Sequence, residues 1–209
     1  MTGSVLTPDF QPGISDINSI VVVENVSLDF LDFIVRLGKK YSRYNIGAPM
    51  LMTPKYIKTS LDVFPIEFLN FSAIHHTISG PDILKDLKID RDHLRLQCER
   101  EMKSKQFWLH QGYIEALDDR QLLGRRLSSS ITSFIPLFRA ILFLGGHEFF
   151  LSAHETADAV EKKIGLKSDI FNRMLAIKEG GRDSDTFCDC FADYYQATRQ
   201  LSDYVEALS

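Results

Sequence analysis

A chain of 209 residues with a formal charge of −4 and a pI of about 5.9 lacks the clustered positive charge that broad nucleic-acid binding needs, so a small or locally recognised substrate is expected. Apolar residues at 44% and charged residues at 25% match the globular norm and exclude disorder and fibrous repeats. Cys98, Cys188 and Cys190 are too few and too uneven for a disulfide framework, and a Cys-x-Cys pair is half a zinc site at most. With no basic-then-apolar leader after Met1, these thiols point to a cytoplasmic protein.

The first elements in chain order read as alternating strands and helices. Ser19 to Glu24 holds the β-branched run of a short buried strand. Leu28, Leu31, Ile34, Val35 and Leu37 repeat at helical spacing, giving a helix over Ser27 to Lys40. Pro49 to Thr53 is a second short apolar run, and Thr53-Pro54 supplies an N-cap and a first-turn proline for a brief helix through Lys58. Leu61 to Phe68 is expected as a third strand, placed at an edge or bulge by Pro65. Ala73 to Ser79 is expected as a fourth, closed by Gly80-Pro81.

After about Ile89 the apolar period changes to that of helices. Leu94, Cys98, Met102, Leu109, Tyr113 and Leu117 form one stripe of a long helix, with Glu99–Lys103 and Glu101–Lys105 as exposed i,i+4 pairs. A second helix is expected from about Gln121 to Leu144, kinked at Pro136 and stopped by Gly145-Gly146, with Leu123, Leu127, Ile131, Phe134, Phe138 and Ile141 inside. Its apolar stretch, Phe134 to Gly146, is interrupted by Pro136 and Arg139 and is shorter than the ~20 residues of a membrane span, so no membrane is expected as a partner. Ser152 and Glu155 form a capping box for a third helix, Ser168 caps a fourth that Gly180-Gly181 ends, and a last helix carries Phe187, Phe191, Tyr194, Thr198, Leu201, Val205 and Leu208 at spacings of four and three. The expected fold class is α+β: a small α/β domain over residues 1–89, then an all-helical bundle over residues 90–209.

The residues with chemistry lie near the start. Gly3-Ser4 is followed by Gly13-Ile14-Ser15-Asp16-Ile17-Asn18 and then by the first strand. This order resembles the signature of DNA polymerase beta superfamily nucleotidyltransferases, in which Gly-Ser opens a helical turn and Asp-x-Asp stands at the start of a strand. The segment from Leu94 to Glu101 is similar to the one that follows the catalytic domain in bacterial members with C-terminal helical bundles. The resemblance implies transfer of a nucleoside monophosphate from a nucleoside triphosphate to an acceptor the sequence does not reveal. It implies Mg2+ or Mn2+ held by Asp16, Asn18 and a third acid, and phosphates met by Gly3, Ser4 and Ser15. Carboxylates at i and i+2 of a strand share a face and can serve one metal pair. The third acid comes from a neighbouring strand in that family, and the segment Ser60 to Phe68 offers Asp62 or, on the opposite face of a regular strand, Glu67.

Two departures bear on activity. Asn18 replaces the second carboxylate of the motif, which lowers the expected metal affinity, and the helix preceding the Gly-Ser turn in the family has no counterpart before Gly3. Two readings therefore stand: an active transferase using Asp16, Asp62 and Glu67 as its acidic candidates, and a degenerate fold that senses nucleotide or binds a partner. His75 and His76 diverge in a strand, and Cys188 and Cys190 diverge on a helix, so neither pair is expected to bind metal. Arg95, Arg100, Lys103 and Lys105 read as a phosphate-binding face or a solvated one, and His147 and His154 show no evident partner. With one substantial helix to cover its sheet, the α/β domain is expected to leave apolar surface for a homodimer.

Overall fold

The computed structural model describes residues 1–41, 44–117, 119–166, 169–180 and 187–208, without the side chains of residues 120 and 187–189. The expected cap Ser168, the stop at Gly181 and the side chains of Phe187 and Cys188 lie outside the described residues. The fold mixes helix and sheet and is mostly helical, and its contacts divide it into two compact units, Met1–Asp90 and Arg91–Ser209.

In the first unit, strand β1 (Ile20–Val22) pairs in parallel with β2 (Met50–Met52), in register Ile20 to Met50 and Val22 to Met52. Between them runs helix α1 (Leu28–Tyr41), which has no buried residue among those described. Helix α2 (Pro54–Ser60) starts as its sequence predicts: Thr53 accepts the Tyr56 N–H at 3.0 Å through its hydroxyl, and Pro54 needs no partner at the first helical position. Met52, Ile57 and Phe68 form the core, packed against Ile20, Val22, Leu61 and Phe71.

The two later strands expected in this unit are absent among the described residues. Pro65 opens helix α3 (Pro65–Ala73) instead of sitting at a sheet edge. The segment's apolar positions also fit a helical period, with Pro65, Phe68 and Leu69 buried at i, i+3 and i+4. A proline in the first turn and this spacing together account for the helix in place of the expected strand. Ala73 to Ser79 is likewise no strand: Ile74 donates to the Asn70 carbonyl at 2.8 Å as α3 ends, and His75 makes a single antiparallel bridge to Thr2.

The second unit opens with the long helix α4 (Arg91–Ala116). Leu94, Cys98 and Met102 are fully buried, but Tyr113 is 52% and Leu117 86% exposed, against the expected stripe. Each four-residue step overshoots a 3.6-residue turn by about 40°, so a row built mainly of such steps winds off the core. Ala116 is buried in their place. The single kinked helix expected next is two helices, α5 (Arg120–Ser130) and α6 (Ile135–Leu144), joined by a 3-10 turn at Ile131–Ser133 and bent by 49°. Pro136 falls in the first turn of α6, so it begins a helix instead of bending one. The six residues expected inside this stretch are all buried.

Helix α7 (Ala153–Lys163) is capped by Ser152, whose hydroxyl accepts the Glu155 N–H. Helices α8 (Ile170–Lys178) and α9 (Phe187–Glu206) complete the unit. Its centre is aromatic: the rings of Phe138 and Phe171 lie 4.7 Å apart, and Tyr194 meets Phe134 at 5.9 Å and Phe171 at 5.8 Å. Buried Arg139 donates to the Phe150 and Leu151 carbonyls, tying the loop before α7 to α6. No single helix among the described residues is long and apolar enough to cross a membrane.

Candidate functional site

The chain start and the run Asp16-Ile17-Asn18 lie side by side. Thr2 is buried; its N–H donates to the Asn18 carbonyl at 3.1 Å and its hydroxyl to the Ile74 carbonyl at 2.8 Å. Gly3 then adopts φ 83°, a left-handed conformation that disfavours other residues, and directs Ser4 into a 3-10 turn, Ser4–Leu6. Ile17 is fixed by a second segment, donating to the Asn45 carbonyl at 2.8 Å and accepting the Gly47 N–H at 3.1 Å.

These anchors decide where the candidate ligands stand. A β-carbon on Gly3 would lie 3.3 Å from Asn18 Nδ2, and one on Gly47 would lie 3.1 Å from Asn18 Oδ1 and 4.0 Å from Asp16 Cβ. Asp16 and Asn18 thus both approach Gly47, as i and i+2 residues of an extended run do, and both are exposed. Ser15 accepts the Gln11 N–H at 3.1 Å, so its hydroxyl is engaged within its own loop.

Asp62 and Glu67 do not occupy the expected place on a strand. Asp62 is exposed in the turn between α2 and α3, and Glu67 is exposed in the first turn of α3, where a carboxylate complements the helix dipole. The strand paired with β1 is Met50-Leu51-Met52, which carries no acid. Among the described residues no group of three or more His, Cys, Asp or Glu could hold a metal ion.

Other expectations are corrected in each unit. His75 Nδ1 lies 2.9 Å from the Ser72 carbonyl and Nε2 lies 2.8 Å from Asp82 Oδ1. The hydrogen bond with His75 holds the Asp82 carboxyl below its usual pKa. His75 lines a cavity of about 490 Å³ along β1, with Met1, Ile20, Val22 and Leu84; its partner Asp82, seven residues on, was not among the sequence expectations. His154, expected to stand alone, meets Asn172 Oδ1 at 2.6 Å and the Glu179 carboxylate at 3.3 Å. On α4, Glu99 pairs with Arg95 at 3.0 Å and Lys103 at 2.6 Å, a solvated face in which hydrogen bonds from the cations lower the Glu99 pKa. Lys105 does not turn to Glu101 but donates to Ser133 Oγ at 2.7 Å.

No protein-family model matches the chain, and no curated protein and no solved structure matches it.

Proposed function

We propose that this protein is a nucleotidyltransferase of the polymerase beta type, moving a nucleoside monophosphate from a nucleoside triphosphate to an acceptor. One observation carries the reading: the bond from the Thr2 N–H to the Asn18 carbonyl, 3.1 Å long, which ties the Gly3-Ser4 turn to the Asp16-x-Asn18 run at the head of β1. A phosphate-binding turn and a metal-binding run must be adjacent for this reaction, since the triphosphate bridges them.

The donor set fits a hard cation in part. The Asp16 carboxylate and the Asn18 amide oxygen are hard donors, and Mg2+ or Mn2+ binds through one or two carboxylates while water and substrate phosphates fill the remaining positions. Asp62 is the proposed third ligand, with Glu67 as the alternative. When bound, the cation would neutralise charge on the triphosphate. The chain's own part is positioning: Gly3, Ser4 and Ser15 hold the phosphates so that an acceptor oxygen bonds to the α-phosphorus as pyrophosphate leaves in line.

A degenerate fold that senses nucleotide or binds a partner is favoured by one contrary feature. The Asn18 amide stands between Gly3 and Gly47, close at both ends to where β-carbons would be, and it brings no charge. Crystals soaked with a nucleoside triphosphate and Mn2+, paired with a pyrophosphate-release assay, separate the readings. Density beside Asp16 with release supports the transferase; density without release supports a nucleotide-sensing module; no density beside Asp16 rejects both nucleotide readings and leaves partner binding.

A further inference from the structure

Helices α4, α5 and α9, with the turn through Ser133 and Phe134, line a second, open cavity of about 360 Å³ that lies within the helical unit. That volume lies at the small end of ligand clefts, ~300–1,000 Å³. Leu123, Leu127 and Phe134 supply buried apolar wall, and the indole of Trp108 contributes a 62% exposed ring. Two cations line the same space, and their surroundings differ. Arg126 is answered by a carboxylate, Glu115, at 2.9 Å, and Glu115 also accepts from Gln111 at 2.8 Å, so this pair is internally compensated.

Among the described residues no carboxylate answers Lys105 in the same way. Its ammonium lies 4.4 Å from the centre of the Phe134 ring and donates to the Ser133 hydroxyl at 2.7 Å. Burial lowers its pKa, opposed only by the more distant charge of Glu101. A ring face and one neutral oxygen replace little of the hydration an ammonium loses. An anion entering the cavity would restore it, as carboxylates do beside half-buried lysines.

We propose that this cavity binds a small amphipathic carboxylate, its apolar body against Leu123, Leu127 and Phe134 and its carboxylate on Lys105. The site does not rest on the transfer reaction proposed above and needs no nucleotide.

The chain's one tryptophan, Trp108, lines the cavity and serves as the reporter. Titrating the full chain with phenylpropionate is expected to change Trp108 emission saturably. Phenylpropanol, of equal shape but uncharged, is expected to bind about tenfold more weakly, the loss typical of a hydrogen bond to a charged group. Lys105→Met, which keeps the apolar stem, is expected to erase that preference. Gly112→Leu offers a second variant, since a β-carbon on Gly112 would sit 3.9 Å from Arg126 Nη1, an ordinary contact, and leucine is the better helix former. It should fill the cavity and block both probes while far-ultraviolet circular dichroism stays native. Equal binding of the two probes, a preference that survives Lys105→Met, binding that survives Gly112→Leu, or no saturable change with the native chain would each overturn the proposal.

Discussion

The two units treat the same sequence signal in opposite ways. In Arg91–Ser209, apolar residues at helical spacing converge on Phe134, Phe138, Phe171 and Tyr194, each at most 3% exposed. In Met1–Asp90, α1 carries an equally regular pattern, yet Leu28 is 80%, Val35 56% and Phe33 46% exposed. Periodicity therefore fixes which side of a helix is apolar and leaves open what covers it. In the helical unit the cover is supplied by neighbouring helices, and the N-terminal core is carried by the sheet with α2 and α3.

The largest effect expected from this contrast is on stability. Phe138→Ala opens a cavity among packed rings and should cost about 3–5 kcal/mol. Phe33→Ala, on the exposed side of α1, should stay within ~0.5 kcal/mol. Urea unfolding followed by circular dichroism measures both, and comparable losses at the two positions would break the comparison.

A smaller change tests the N-terminal site. Asn18→Asp supplies the charge that a hard divalent cation prefers, so Mn2+ affinity should rise, on the order of tenfold. Calorimetric titration of both forms reads this directly. Equal or weaker binding by the aspartate form would mean that Asn18 holds Gly3 and Gly47 in place instead of standing in for a ligand.

Local capping should be alike in the two units, because it depends on the few residues at a helix start. Thr53→Ala removes a 3.0 Å acceptor from α2, and Ser152→Ala a 3.4 Å one from α7. Each should cost ~1 kcal/mol, more at Thr53 where the bond is shorter. A negligible change at Thr53 beside a full loss at Ser152 would show that the N-terminal unit is not organised by its own local signals.

These caps were legible in the sequence because the signal and its partner lie three residues apart. So were β1, α1 and the buried stripe through Leu123, Leu127, Ile131 and Phe134. The third strand failed on competing signals: Leu61 to Phe68 is a short apolar run like a strand, yet Pro65, Phe68 and Leu69 are spaced like a helix, and Pro65 opens one. Of the candidate site, contiguity alone was readable: Asp16 and Asn18 both approach Gly47, and Asn18 stands beside Gly3. The third acid was not, because its placement was inferred from a strand that does not form. Partners set by tertiary folding, such as Asp82 for His75 or Asn172 for His154, left no local trace.

The exposed side of α1 bears on assembly. Leu28, Leu31 and Val35 stand at i, i+3 and i+7 and so form one stripe, 80%, 39% and 56% exposed in turn. Beside it Phe30 and Phe33 bring their rings to 6.3 Å. Apolar side chains left in water gain ~25 cal/mol per Å² on burial, so a continuous stripe favours association where scattered residues would not. The proposed cover is α1 of a second copy, because a two-fold axis lets one stripe satisfy its own equivalent with no further surface required. A stable pairing needs about 1,000 Å² in total, more than one stripe supplies, so apolar residues flanking it must join the interface. Light scattering at micromolar concentration should give twice 23.9 kDa. Leu31→Glu with Val35→Glu should return the mass to a single chain with unfolding free energy changed by no more than ~0.5 kcal/mol once dissociated, since both positions face water in the monomer. A native chain that scatters as 23.9 kDa would reject the dimer and leave the stripe as plain exposed surface, and a dimer indifferent to both glutamates would place its interface elsewhere on the molecule.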